Sequence, residues 1–244
     1  MHATLAGVEA YWGHDVEMSL FLALFFAERV SLREPLLCPR RLAFSLITSL
    51  PRFAIRPYQS TDESSWVRCR ALSFLSTQYY DDVKPSRTVL AQPAIALVAV
   101  SHDEATVIGI LDIELDGDAA TIDTIATHPD HQHGGVATGL LRHALTMLRE
   151  RRASTLDAWT REDIAANAWY QRNGFVENYR YMHVYLGDAD DHEGFQTPSG
   201  LSAPVIAFMH GRREDEDDLR RRYARAYACR QYIRPVSASE HDLR

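Results

Sequence analysis

Thr124-Ile125-Ala126-Thr127-His128-Pro129-Asp130-His131-Gln132-His133-Gly134-Gly135-Val136-Ala137-Thr138 is the stretch on which the reading of this chain turns. An apolar strand ends, His128-Pro129-Asp130 turns the chain, and two glycines open a helix. From there Ala137, Leu140, Leu141, Ala144, Leu145 and Leu148 recur at helical spacing, which predicts an amphipathic helix from Gly135 to about Glu150. The first N–H groups of a helix lack internal partners and point at whatever lies beyond them. Together with the macrodipole they form an anion cradle that needs no positively charged protein. No Lys follows as in a G-x-x-x-x-G-K-[ST] loop, and Gly134, Gly135 and Gly139 miss the spacing of a dinucleotide fingerprint. Three His in one turn are weak grounds for a metal site, and none is expected.

Outward from this stretch, the rhythm upstream is that of strands. Phe53–Pro57 reads as a strand, Ser60 with Glu63 as a capping box opening a helix to about Gln78, and Tyr79–Gln92 as a loop. Ala94–Val100, Thr106–Leu115 and Ala119–Thr127 read as consecutive antiparallel strands, the last pair joined at Asp116-Gly117. Downstream, Ser154–Trp159 is a strand, Asp163–Arg172 a helix closed by Asn173-Gly174, and Phe175–Leu186 a strand. A meander followed by alternating strands and helices makes a mixed, mostly antiparallel α/β sheet flanked by helices.

With 244 residues the chain is long enough for one domain with extensions. Residues 51–187 carry this rhythm. Residues 1–50 hold one apolar run, Met18–Ala27, read as a helix near 15–30 or a poorly ordered leader; it is too short to span a bilayer. Residues 188–244 read as an extension packing on the core: an acidic loop, a strand at Pro204–Met209 and a charged helix over Arg212–Arg230. The net charge of -7 argues against broad capture of nucleic acid or an anionic membrane. Cys38, Cys69 and Cys229 form neither a disulfide framework nor a thiolate site, so a reducing cytoplasm is the default.

Gln132-His133-Gly134-Gly135-Val136-Ala137 resembles the Q/R-x-x-G-x-G/A loop that holds the acetyl-CoA pyrophosphate in the GNAT superfamily of N-acetyltransferases. Ala166-Asn167-Ala168-Trp169-Tyr170-Gln171-Arg172-Asn173-Gly174-Phe175 resembles that family's A-x-x-[FL]-Y-x-x-x-G-F segment, and the likeness covers about residues 53–187. It implies a GNAT-type sheet with acetyl-CoA bound where two parallel strands splay. The contacts it implies come from Ile125, Ala126 and Thr127 on the strand, from Gln132 to Thr138 in the loop, and from Asp163, Asn167 and Tyr170. His133 and Gly134 stand where the family often has Lys or Arg, and Asp163 where it usually has Asn.

The resemblance implies Tyr170 as the acid that protonates the departing thiolate. A phenol pKa of about 10 lies close to that of a thiol. For the base, Asp123 matches a position where many relatives carry Glu, and Asp157 the position used by relatives that acetylate protein N-termini; Glu114 also competes. Asp123 is favoured, then Asp157, acting through a bridging water. Asp81 and Asp82 read either as a lure for a cationic amine or as solvated loop charges. The implied activity is direct acetyl transfer from acetyl-CoA to a primary amine of a small molecule or protein. A module binding acyl-CoA without turnover is the alternative, and a homodimer stays open.

Overall fold

The computed structural model describes residues 53–102, 106–187, 190, 192 and 194–237; the helix expected near 15–30 lies outside them. Eight strands form one sheet: β1 (Phe53–Pro57), β2 (Ala94–Ser101), β3 (Val107–Asp116), β4 (Ala119–Thr127), β5 (Thr155–Thr160), β6 (Val176–Leu186), β7 (Ala207–Gly211) and β8 (Arg225–Pro235). Their order across the sheet is β1-β2-β3-β4-β5-β8-β6-β7. All pairings are antiparallel except β4–β5, which is parallel. Such a parallel pair needs a crossover, and α2 (Val136–Glu150) supplies it.

The helices divide between the two faces. On one face, α2 buries Leu140, Leu141, Leu145 and Leu148 against Leu111 and Ile113 of β3 and Leu156 of β5. Tyr170 of α3 (Ile164–Arg172) joins this core. On the other face, α1 (Glu63–Phe74) sets Trp66 and Cys69 against Val98, Ile110 and Ala126. No described helix is long and apolar enough to cross a membrane.

Two local features differ from what the sequence predicts. The carboxylate that reaches back to the start of α1 is Asp62, which accepts the Gln59 N–H at 2.8 Å; Glu63 instead accepts from the Tyr58 hydroxyl and the Arg87 N–H. The helix also stops at Phe74 rather than Gln78, because the Thr77 hydroxyl accepts the Tyr79 N–H and turns the chain.

The larger correction concerns the C-terminal segment. Arg212–Arg230 is not one helix: α4 covers only Glu216–Arg222, and β8 begins at Arg225. β8 runs between β5 and β6, deep in the sheet, because its alternation buries Ala226, Ala228, Tyr232 and Arg234. Residues beyond 187 therefore build two of the eight strands. α4 packs Leu219 over Met182 and Val184, on the α2 and α3 face. On the opposite face, β5, β8, β6 and β7 carry a stripe of rings that includes Trp159, Tyr181, His183 and His210.

Candidate active site

β4 and β5 pair only from Ala119↔Thr155 to Ile122↔Ala158. Beyond that point they diverge, and the sheet opens. The opening coincides with a bulge. Thr124 pairs with Asp112 and Ile122 with Ile113, so Asp123 is an extra residue without a β3 partner. A bulge lets two successive residues share a face. Ile122 and Ile125 both join the α2 core, while Asp123 and Thr124 both turn to the α1 face, where the Thr124 hydroxyl donates to the Asp123 carboxylate at 2.9 Å.

Above the bulge the strand's outer edge is unpaired. The His128 N–H goes to the Ile108 carbonyl of the β3 side. Strand alternation then turns the Ile125 and Thr127 amides toward the opening. The Thr127 carbonyl accepts the Ser73 hydroxyl, which ties α1 to the same edge.

The loop closes the other side. His133 and Gly135 both adopt left-handed backbone, at φ 60° and 78°. Gly135 is the N-cap of α2, and no side chain caps it among the described residues. The first helical bond runs from Gly139 N–H to the Gly135 carbonyl, which leaves the Val136, Ala137 and Thr138 amides for an outside acceptor. A Cβ on Gly135 would meet nothing within 4 Å, so glycine is needed there for its backbone angle and not for space inside the protein.

These parts line one cavity of about 500 Å³. Of the residues singled out in the sequence, Asp123, Ile125, Ala126, Thr127, Gln132, His133, Val136, Ala137, Thr138, Asp163 and Tyr170 line it. Gly134 and Gly135 stand beside it in the loop. Asp157 and Asn167 are held elsewhere. Asp157 sits opposite Thr121 in the paired part of the strands, its carboxylate accepting from the Thr121 hydroxyl at 2.5 Å and the Gln231 amide at 2.9 Å. Asn167 donates to the Arg161 and Asp163 carbonyls and accepts the Tyr232 hydroxyl. Asp163 caps α3 by accepting the Ala166 N–H at 2.8 Å. Glu114 accepts the Ala91 N–H, away from the opening.

Tyr170 enters the cavity from the α2 and α3 face. Its ring stacks on Tyr232 at 5.4 Å and meets Phe175 and Trp169 edge-on. Burial pushes the phenol well above its ordinary value, with the Tyr79 charge adding to the effect. No described residue hydrogen-bonds its hydroxyl.

The loop acids are not free. Asp82 pairs with Arg70 at 2.6 Å, and Asp81 lies between Arg225 at 2.9 Å and Arg161 at 3.7 Å. The solvated-charge and amine-lure readings of these two residues both give way to internal neutralisation. Arg161, which the sequence reading passed over, is the hub: buried among Tyr79, His183 and Tyr185, it donates to the Gln78 carbonyl and the Tyr185 hydroxyl. Trp159 was also passed over, although counting by two from Asp157 would have found its face.

Residues 94–177, from the start of β2 into β6, match the family model described as an acetyltransferase (GNAT) domain. Residues 94–177 carry the signature of a GNAT acetyltransferase domain. The match holds both the Gln132–Ala137 loop and the Ala166–Phe175 segment. Solved structures similar to this chain include the ribosomal-protein-S18-alanine N-acetyltransferase of Escherichia coli, at 16% identity over 77% of this chain and 96% of that one, with a TM-score of 0.45. A GNAT-family acetyltransferase of Staphylococcus aureus is 14% identical over 76% and 99%, with a TM-score of 0.48. PaiA N-acetyltransferase of Thermoplasma acidophilum in complex with coenzyme A is 13% identical over 66% and 98%, with a TM-score of 0.44. No curated protein sequence matches the chain.

Proposed function

We propose that this protein transfers an acetyl group from acetyl-CoA to a primary amine by direct attack in a ternary complex. The observation that carries the reading is the coincidence of three features in one cavity: the β4–β5 opening, the uncapped N-terminus of α2, and Asp123 and Tyr170 on its two sides. The residues fit the co-substrate. The Val136, Ala137 and Thr138 amides suit a pyrophosphate, and the Ile125 and Thr127 edge suits the pantetheine amides and the thioester carbonyl. When bound, acetyl-CoA supplies an acyl group already activated as a thioester.

The chain's own groups do the rest. Asp123, turned out by the bulge, accepts the proton an ammonium must lose before nitrogen can attack, directly or through one water. The edge amides meet the oxygen on which negative charge develops. As the C–N bond forms and the C–S bond breaks, the Tyr170 hydroxyl donates to the departing sulfur and regains its proton from solvent. Its raised pKa keeps it protonated across the working range, while lowering the driving force for full transfer compared with an exposed phenol.

The test is free-thiol release from acetyl-CoA with a panel of amines, paired with mass spectrometry of the products. Saturable binding of acetyl-CoA without turnover on any amine would replace this reading by a binding module.

A further inference from the structure

The α1 face beside Asp123 carries a feature that acetyl-CoA binding does not use. Trp159, last but one in β5, lines the cavity on the same face as Asp123 and is 38% exposed. The ring of Tyr181 lies 5.4 Å from it, edge to face, and that of Tyr179 lies 6.2 Å away and is 56% exposed. Rings of this size usually end in a core or an interface, because each offers a broad apolar face at small conformational cost. Here three of them continue outward from the reactive opening as a wall.

The charges beside that wall limit what it can hold. Three carboxylates line the cavity. Asp82 is neutralised by Arg70, and Asp163 is engaged with the Ala166 N–H at the start of α3. Of the three, only Asp123 has neither a cation nor a backbone N–H on its carboxylate among the described residues; its recorded partner is a neutral hydroxyl. A polyamine or an aminoglycoside, with several ammonium groups, would need several unpaired carboxylates. A single one matches a single ammonium.

We infer that the acceptor is a small monoamine carrying an aromatic ring, its nitrogen held at Asp123 and its ring laid against Trp159 and Tyr179. This rests on the acetyl-transfer reading and adds to it the acceptor's chemical class. The reaction balances as before: the amine loses one proton, the C–N bond replaces the C–S bond, and the thiol leaves protonated.

The experiment compares 2-phenylethylamine, butylamine and putrescine as acceptors for the wild-type protein and for Trp159→Ala and Trp159→Phe. Saturation-transfer NMR of 2-phenylethylamine on each folded protein is measured alongside. The expected result is a kcat/KM for 2-phenylethylamine at least tenfold above those of the other two amines. That preference should collapse in Trp159→Ala, mainly through KM, and recover in Trp159→Phe. The transfer signal on the ring protons should follow the same order. A merely structural Trp159 would lower all three amines together, which overturns the inference, as does a wild-type preference for putrescine. Silence with these three amines beside thiol release with another amine overturns the inference alone, whereas no thiol release with any amine of the wider panel overturns the acetyl-transfer reading itself.

Discussion

The Thr124 hydroxyl donates to the Asp123 carboxylate at 2.9 Å, although sequence neighbours on a regular strand would point to opposite faces. The bulge at Asp123 makes the contact possible, and it fixes the carboxylate at the point where β4 leaves β5. Replacing Asp123 by Asn keeps the shape and removes the proton acceptor. The rate near neutral pH should fall by roughly 10²–10⁴-fold, as for loss of a general base. The deficit should shrink as rising pH supplies free amine. A pH-rate profile of Asp123→Asn that runs parallel to the wild-type curve would exclude Asp123 as the base.

The cradle can be probed at Gly135. Its φ of 78° penalises any side chain by about 1–2 kcal/mol, yet a Cβ there meets no neighbour. Gly135→Ala should therefore melt earlier and still bind acetyl-CoA. Gly135→Glu adds a carboxylate that competes for the Val136, Ala137 and Thr138 amides and repels a pyrophosphate. Two lost contacts to a charged group, each worth about 1.5–3 kcal/mol, predict affinity at least a hundredfold weaker. Calorimetry showing equal affinity for the two variants would remove the loop from the site.

His183 links the aromatic face to pH. Burial, with Arg161 and His210 adding to it, holds its pKa down at about 4, against about 6.5 in an unfolded chain. Its Nδ1 accepts from Arg161 at 3.3 Å, so protonation would set one N–H donor against another. Between about pH 6.5 and 4 the unfolded chain binds more protons than the folded one. Stability contributed by neutral His183 is then complete above 6.5 and lost as pH falls through that window. The urea midpoint should drop across that range in the wild type and drop less in His183→Gln. Matching slopes for the two proteins would show that the window belongs to other groups.

Much of this arrangement was legible because its signals are local. The leucine spacing of α2, the Asp116-Gly117 turn and the alternation of β2 to β4 each occupy one short window of sequence. What escaped depends on partners far along the chain. The bulge exists only relative to β3, so no reading of β4 alone could show why Asp123 and Thr124 share a face. The start of β8 reads as part of a charged helix because the run Arg212–Arg230 mixes both signs. In place, Arg225 is clamped by Asp81 and lies 4.1 Å over the Tyr185 ring, and Arg234 lies 5.6 Å over the Phe175 ring. Arginine stems pack along apolar surface, so charge alone misjudged their burial.

Tyr170 gives the test with the least structural disturbance. The ring is held on three sides, by Tyr232 stacked at 5.4 Å and by Phe175 and Trp169 edge-on at 5.2 and 5.1 Å. Phenylalanine reproduces all three contacts, and no described residue loses a hydrogen bond when the hydroxyl goes. Folding and acetyl-CoA affinity should hardly change in Tyr170→Phe. What is removed is the donor facing the departing sulfur, so the loss should appear in kcat and not in the acetyl-CoA dissociation constant. Without a replacement donor the fall should be on the order of 10²-fold. Because burial has already raised the phenol pKa, full proton transfer contributes less than for an ordinary tyrosine, and a water entering the gap could supply part of the same hydrogen bond. The loss should therefore be smaller for an acyl donor whose thiol leaves more readily, since a weaker base needs less help. A Tyr170→Phe protein with wild-type kcat on both donors would reduce Tyr170 to a packing residue of the α3 core.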